Sequence, residues 1–139
     1  MSRMKLDTLR SGPTVVTSTG TQTAASWSLA TLTSGMSTGD VCYVDVVAGC
    51  FSVSAANYSA LVALTVAVGL NAGPTYALGA VSYSQPNAGS GNTPGDVTGG
   101  GMWDSMTLDQ SSGTLRLRVT FSVHTQGFTC YALANTLGP

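Results

Sequence analysis

The sequence predicts an all-β protein, an antiparallel β-sandwich of jelly-roll-like form with about eight strands. Three observations carry that expectation. Apolar and polar residues alternate with a period of two in several segments, which sorts them onto opposite faces of an extended chain. Short clusters of Gly, Asn, Asp and Ser separate those segments, as turns do. No segment carries a long amphipathic helical repeat. The 139 residues suit one domain with its own core.

Residues 1–12 are polar and include Arg3, Lys5, Asp7 and Arg10. They read as a flexible basic arm, either a disordered terminus or a segment that orders on a neighbouring subunit. No apolar run follows Arg3 and Lys5, so no signal peptide is expected. Residues 13–139 form the sandwich domain. Pro13–Ser18 is rich in β-branched residues, and Thr17, Thr19, Thr21 and Thr23 share one face of an extended chain. Trp27 and Leu29 then alternate with Ser26 and Ser28.

Val41–Ala48 is apolar on both faces except for Asp45, the pattern of a central strand. Ala60–Leu70 is an apolar run that fits a buried helix or a strand, its β-branched content favouring strand. Tyr76–Tyr83 reads as a further strand. Residues 85–101 are rich in Gly and Pro and predict a long loop, either docking on a partner or a slack insertion. From Leu115 to Val123 five apolar residues alternate strictly with polar ones, a half-buried strand. The turn signal Gln126–Gly127 and the segment Phe128–Leu133 predict its antiparallel hairpin partner.

Charge is scarce. Only 8% of residues are charged, against about 25% in an ordinary globular protein. Glu is absent, and no residue from Val46 to Gly95 carries a formal charge. Such a chain has little repulsion to keep copies dispersed. Either neighbouring protein covers much of its surface, or it is a secreted domain with a neutral hydroxyl surface; the first reading is preferred. The net charge of −1 leaves no nucleic-acid footprint. The longest apolar run is far shorter than the ~20 residues of a membrane span.

Chemistry is equally sparse, and the expectation is no enzyme and no cofactor. His124 is the only histidine, and on the strand pattern it is an exposed polar residue. Asp96, Asp104 and Asp109, or Asp40 and Asp45, lack calcium-loop spacing. Cys42, Cys50 and Cys130 form no CxxC pair, which disfavours zinc; buried thiols or a Cys42–Cys50 bridge remain open. Arg116 and Arg118 point the same way, and pair either with aspartates on an adjacent strand or with acidic groups of a partner. Arg3, Lys5, Arg10, Arg116 and Arg118 are therefore the partner-interface candidates. Trp27, Trp103 and Tyr83 are core aromatics or, on a receptor-binding reading, sugar-stacking ones.

The stretch Ser112–Thr120 followed by a turn and Phe128-Thr-Cys-Tyr-Ala resembles a C-terminal hairpin of small β-rich bacteriophage virion proteins. Size, arm and the absence of an evident signal peptide look most like a capsid cement, or decoration, protein. The resemblance implies a virion protein assembled in the host cytoplasm, binding the major capsid protein as a homodimer and cementing capsid subunits from outside. The alternative is a tail-fibre or tail-tip module that binds a host receptor or glycan. The cement reading would act through area buried at capsid junctions, where about 800 Å² per partner suffices for specificity.

Overall fold

Alternation of burial along the chain is the organising pattern, and it builds strands throughout. The computed structural model describes residues 5–16, 20–52, 58–83, 87–90, 105–121 and 128–138. The elements are β1 (Lys5–Val16), β2 (Gly20–Ser28), α1 (Leu29–Leu32), β3 (Val41–Ser52), β4 (Tyr58–Asn71), β5 (Thr75–Leu78), β6 (Ser82–Tyr83), β7 (Asn87–Ser90), β8 (Ser105–Ser111), β9 (Thr114–Phe121) and β10 (Phe128–Gly138).

They form two antiparallel sheets. The large sheet has the order β1-β10-β3-β4, and β5, β6 and β7 pair in turn along the free edge of β4. The small sheet has the order β2-β9-β8. The first strand thus pairs with the last and the second with the next to last, one in each sheet, which is the wrap of a jelly roll. The hairpins β3–β4 and β8–β9 each stay within one sheet.

The core lies between the sheets. Val44, Val46, Val62, Leu64, Val66, Ala132 and Ala134 of the large sheet face Trp27, Met106, Leu108, Leu115, Leu117 and Val119 of the small one, all buried. Each fully buried Val or Leu contributes about 1.5–3 kcal/mol of transfer free energy. The alternation predicted for β9 holds: Leu115, Leu117 and Val119 are buried, while Arg116, Arg118 and Thr120 lie on the other face. Ala60–Leu70 is strand, within β4. Val41–Ala48 lies within β3, which is central, between β10 and β4.

Five expectations meet a different outcome in the structure or lie partly outside the described residues. The hairpin predicted between Leu115–Val123 and Phe128–Leu133 does not form, because β9 and β10 belong to opposite sheets. The buried face of β9, with Leu115, Leu117 and Val119, meets the buried face of β10, with Cys130, Ala132 and Ala134, across the core. The actual hairpin is β8–β9, closed by Ser112 (φ 50°) and Gly113 (φ 78°) between paired Ser111 and Thr114. Two central residues with positive φ twist the turn to match the strands.

The segment expected as an arm is, from Lys5 onward, the edge strand β1, paired with β10. Lys5, Asp7, Arg10 and Pro13, which make the segment look unlike a strand, are residue types that blunt an exposed sheet edge. Residues 1–4 lie outside the described residues, as do 91–101 of the predicted loop; within that loop, residues 87–90 form β7.

Leu29, expected to continue a strand, instead opens the single turn α1. Its backbone N–H donates to the Gly113 carbonyl, the Ser28 hydroxyl accepts from the Thr31 N–H, and Leu29 and Leu32 are buried. The cysteine bridge considered between Cys42 and Cys50 is not formed; Cys42 and Cys130 are buried thiols.

Candidate functional site

The charged candidates fall on opposite faces of the sandwich. On the outer face of the small sheet, Arg116 lies directly across from Asp109 on β8. Its Nε donates to Asp109 Oδ1 at 2.8 Å and its Nη2 to Oδ2 at 2.9 Å, the bidentate fork that suits a guanidinium and a carboxylate. Those hydrogen bonds hold the Arg116 pKa above its ordinary value, against a smaller desolvation effect.

Arg118 Nη1 donates to Thr23 Oγ1 at 2.7 Å on β2, and its Nε stands 4.0 Å from Asp109 Oδ2. Thr21 and Thr120 share a hydrogen bond of 2.9 Å. Of the two readings for this arginine pair, the geometry is that of pairing with an adjacent strand. Thr17 and Thr19 of the predicted threonine row lie outside the described residues.

The outer face of the large sheet is built differently. In register, one row across β1, β10, β3 and β4 reads Arg10, Leu133, Val47, Ala63. The next row reads Asn135, Asp45, Thr65 from β10 to β4. On either side of these lie Leu137, Tyr43, Ala67 and Tyr131, Gly49, Leu61. Tyr43 is 56% exposed, Leu61 49% and Tyr131 48%. Val15, Val41, Leu133 and Leu137 are exposed on the same face. Every large hydrophobic side chain exposed among the described residues is thus on this one face.

An open depression of about 520 Å³ sits there, lined by Arg10, Val47, Gly49, Tyr131, Ala132 and Leu133. Gly49 deepens it: a Cβ added at that position would meet nothing within 4 Å. The face holds one described cation, Arg10, and one described carboxylate, Asp45. Asp45 Oδ1 accepts a hydrogen bond from Thr65 Oγ1 at 2.7 Å. Neither Arg10 nor Asp45 forms an ion pair among the described residues.

Among the interface candidates, then, Arg10 lies on this face and Arg116 and Arg118 on the opposite one. Lys5 has its backbone at the outer edge of β1, and Arg3 lies outside the described residues. Sequence reasoning missed Tyr43, Tyr131, Leu133, Leu137 and Asp45. The available signal was β3 itself, since a strand apolar on both faces needs cover on both, and the described residues cover only one.

Of the aromatics weighed for sugar stacking, Trp27 is 5% exposed and its Nε1 donates to the Leu9 carbonyl at 3.1 Å. Trp103 and the side chain of Tyr83 lie outside the described residues, as do His124, Asp96 and Asp104. Among the described residues, no cluster of three or more His, Cys or Asp could hold a metal ion, and no helix is long and apolar enough to cross a membrane.

No protein-family model and no curated protein matches this chain. Two solved structures do. The tailspike protein of Acinetobacter baumannii phage AM24 superposes with a TM-score of 0.59 at 13% identity, over 95% of this chain and 26% of the tailspike. The tailspike protein of Acinetobacter phage vB_ApiP_P1 matches over 98% of this chain and 22% of its own length, at 14% identity and a TM-score of 0.34. The first likeness is one of fold, and this chain spans about a quarter of the length of the tailspike that shares it.

Proposed function

We propose that this chain is a structural virion protein of a bacteriophage, a module of a tail spike or fibre that presses the outer face of its large sheet against protein. The observation that carries the reading is the fold shared over 95% of the chain with part of the AM24 phage tailspike. The exposed apolar face supports it independently, because contiguous apolar surface of this kind marks contact sites in soluble proteins. The comparisons favour this tail reading over the capsid-cement one, for which they offer no neighbour.

Location in the particle tests the proposal. Antibodies raised against the chain are imaged by electron microscopy on purified phage particles. A small number of labels confined to the tail is the expected result. Dense labelling over the whole shell would restore the cement reading, and particles free of the chain would remove both.

A further inference from the structure

We infer that the occupant of the large sheet's outer face is a second copy of this chain, docked face to face about a two-fold axis that sets Arg10 of each copy against Asp45 of the other. The inference rests on the part of the proposed function that puts protein on this face, and it is independent of where the module sits in a virion.

Charge complementarity is the first argument. The face has one described cation and one described carboxylate, both exposed and neither in an ion pair among the described residues. They cannot neutralise each other within one chain. Arg10 is two strands and one outward-facing row away from Asp45, about 12 Å at ordinary sheet spacings.

A two-fold axis lying in the plane of contact, along the perpendicular bisector of the line between them, superposes each charge on its opposite in the facing copy. Both pairs form at once, as an isologous contact requires. That axis crosses β10 beside Leu133 and Asn135, which lie between the two charges in register. Leu133 then meets its own counterpart near the centre of the contact, with Tyr43 and Tyr131 further out.

Area is the second argument. Four strands about 4.8 Å apart, followed from Val41 to Gly49 at about 3.4 Å per residue, give a face of roughly 500 Å² in plan. Side chains standing on that plane raise its accessible area towards the about 800 Å² per partner of a specific interface. The contact would set two ion pairs about 12 Å apart on either side of Leu133 and Asn135, with the exposed Tyr43, Tyr131, Leu61 and Leu137 around them, an arrangement in which charge sets register more than it sets affinity.

The test is a charge-reversal series on the full chain, followed by analytical ultracentrifugation, with circular dichroism and thermal melting confirming the fold. Wild type is expected to be a dimer. Arg10→Glu and Asp45→Arg each create two like-charge contacts by symmetry, and each should weaken the dimer about a hundredfold. The double variant Arg10→Glu/Asp45→Arg should regain it. So should an equimolar mixture of the two single variants, because that heterodimer carries two opposite-charge pairs.

A monomeric wild type at tens of micromolar would overturn the inference. So would a trimer, or a dimer indifferent to both reversals. None of these outcomes bears on the tail location, which the labelling experiment decides separately.

Discussion

The two outer faces of this sandwich solve the same problem in opposite ways. The small sheet turns Thr21, Thr23, Arg116, Arg118 and Thr120 outward and ties them to one another and to Asp109. Most of its polar groups find partners within the chain, the buried Arg118 Nε excepted. The large sheet turns Tyr43, Leu61, Tyr131, Leu133 and Leu137 outward and leaves Arg10 and Asp45 about 12 Å apart. Its apolar surface has no cover within the described chain. The scarcity of charge in the sequence is therefore uneven in its consequences. The small sheet's few ionised groups are concentrated where they bind each other, and the large sheet is left to contact something else.

The largest effect that can break this comparison comes from one residue type placed on two surfaces. Leu117 of β9 is fully buried, whereas Leu133 of β10 is 42% exposed. Leu117→Ala should cost about 2–5 kcal/mol in urea denaturation. Leu133→Ala, measured at high dilution, should stay within about 0.5 kcal/mol of wild type. Raising protein concentration should stabilise wild type more than Leu133→Ala, because association stabilises the folded state by mass action. If Leu133→Ala tracks wild type at every concentration, the large sheet's face is as complete as the small one's.

The next effect concerns the edge that presents Arg10. Between Ser11 and Thr14 the β1–β10 register shifts, at Gly12–Pro13. Gly12 has a φ of 106°, and a Cβ added there would lie 2.6 Å from the Cys130 carbonyl oxygen. Gly12→Ala combines a disfavoured backbone conformation with a clash against backbone, and should cost about 1–3 kcal/mol. Amide hydrogen exchange should rise in β1 before it rises in β3 or β4, since an edge strand opens at lower cost than a central one.

How much of this was legible in the sequence differs between the sheets. In β9 the alternation of Leu115, Leu117 and Val119 with charged and hydroxyl residues gave both faces correctly, because one face is core and the other solvent. In β2 the signal was present and went unread. Thr21 and Thr23 occupy odd positions and face outward, while Trp27, also odd, is buried. Only an extra residue can reverse that parity, and the register does shift between Thr23 and Ala25, leaving both Ala24 and Ala25 buried.

The pairing of β9 was misjudged because local turn signals report that a chain reverses, and say nothing about whether it stays in its sheet. The candidate face was illegible for a related reason. Val41, Tyr43, Tyr131 and Leu133 are scattered along two strands distant in sequence, and only the β10–β3 register unites them.

Smaller still is the contrast between Asp109 and Asp45. Asp109 accepts hydrogen bonds from two guanidinium nitrogens of Arg116, whereas Asp45 accepts one from the Thr65 hydroxyl. Asp109→Asn should lower the thermal midpoint, because it removes the charge that holds the small sheet's network. Asp45→Asn keeps an oxygen to accept from Thr65 and should leave the midpoint of the dilute chain unchanged, while weakening self-association. Scanning calorimetry beside ultracentrifugation separates the two effects. Equal losses of midpoint would mean that Asp45 acts within its own chain.

The smallest expected change sharpens the comparison from the small sheet's side. Ser112 adopts a φ of 50° in the two-residue turn between β8 and β9, a conformation that Asn tolerates better than Ser. Its side chain is exposed, and the turn closes a hairpin whose outer face carries the Asp109–Arg116 pair. Ser112→Asn should raise stability by a few tenths of a kcal/mol, seen as a higher urea midpoint at an unchanged slope. Self-association should not respond at all, because this hairpin lies in the sheet opposite the proposed contact. A change in oligomeric state on so mild a stiffening of β8–β9 would mean that the small sheet also takes part in assembly, and the division of labour between the two faces would have to be withdrawn.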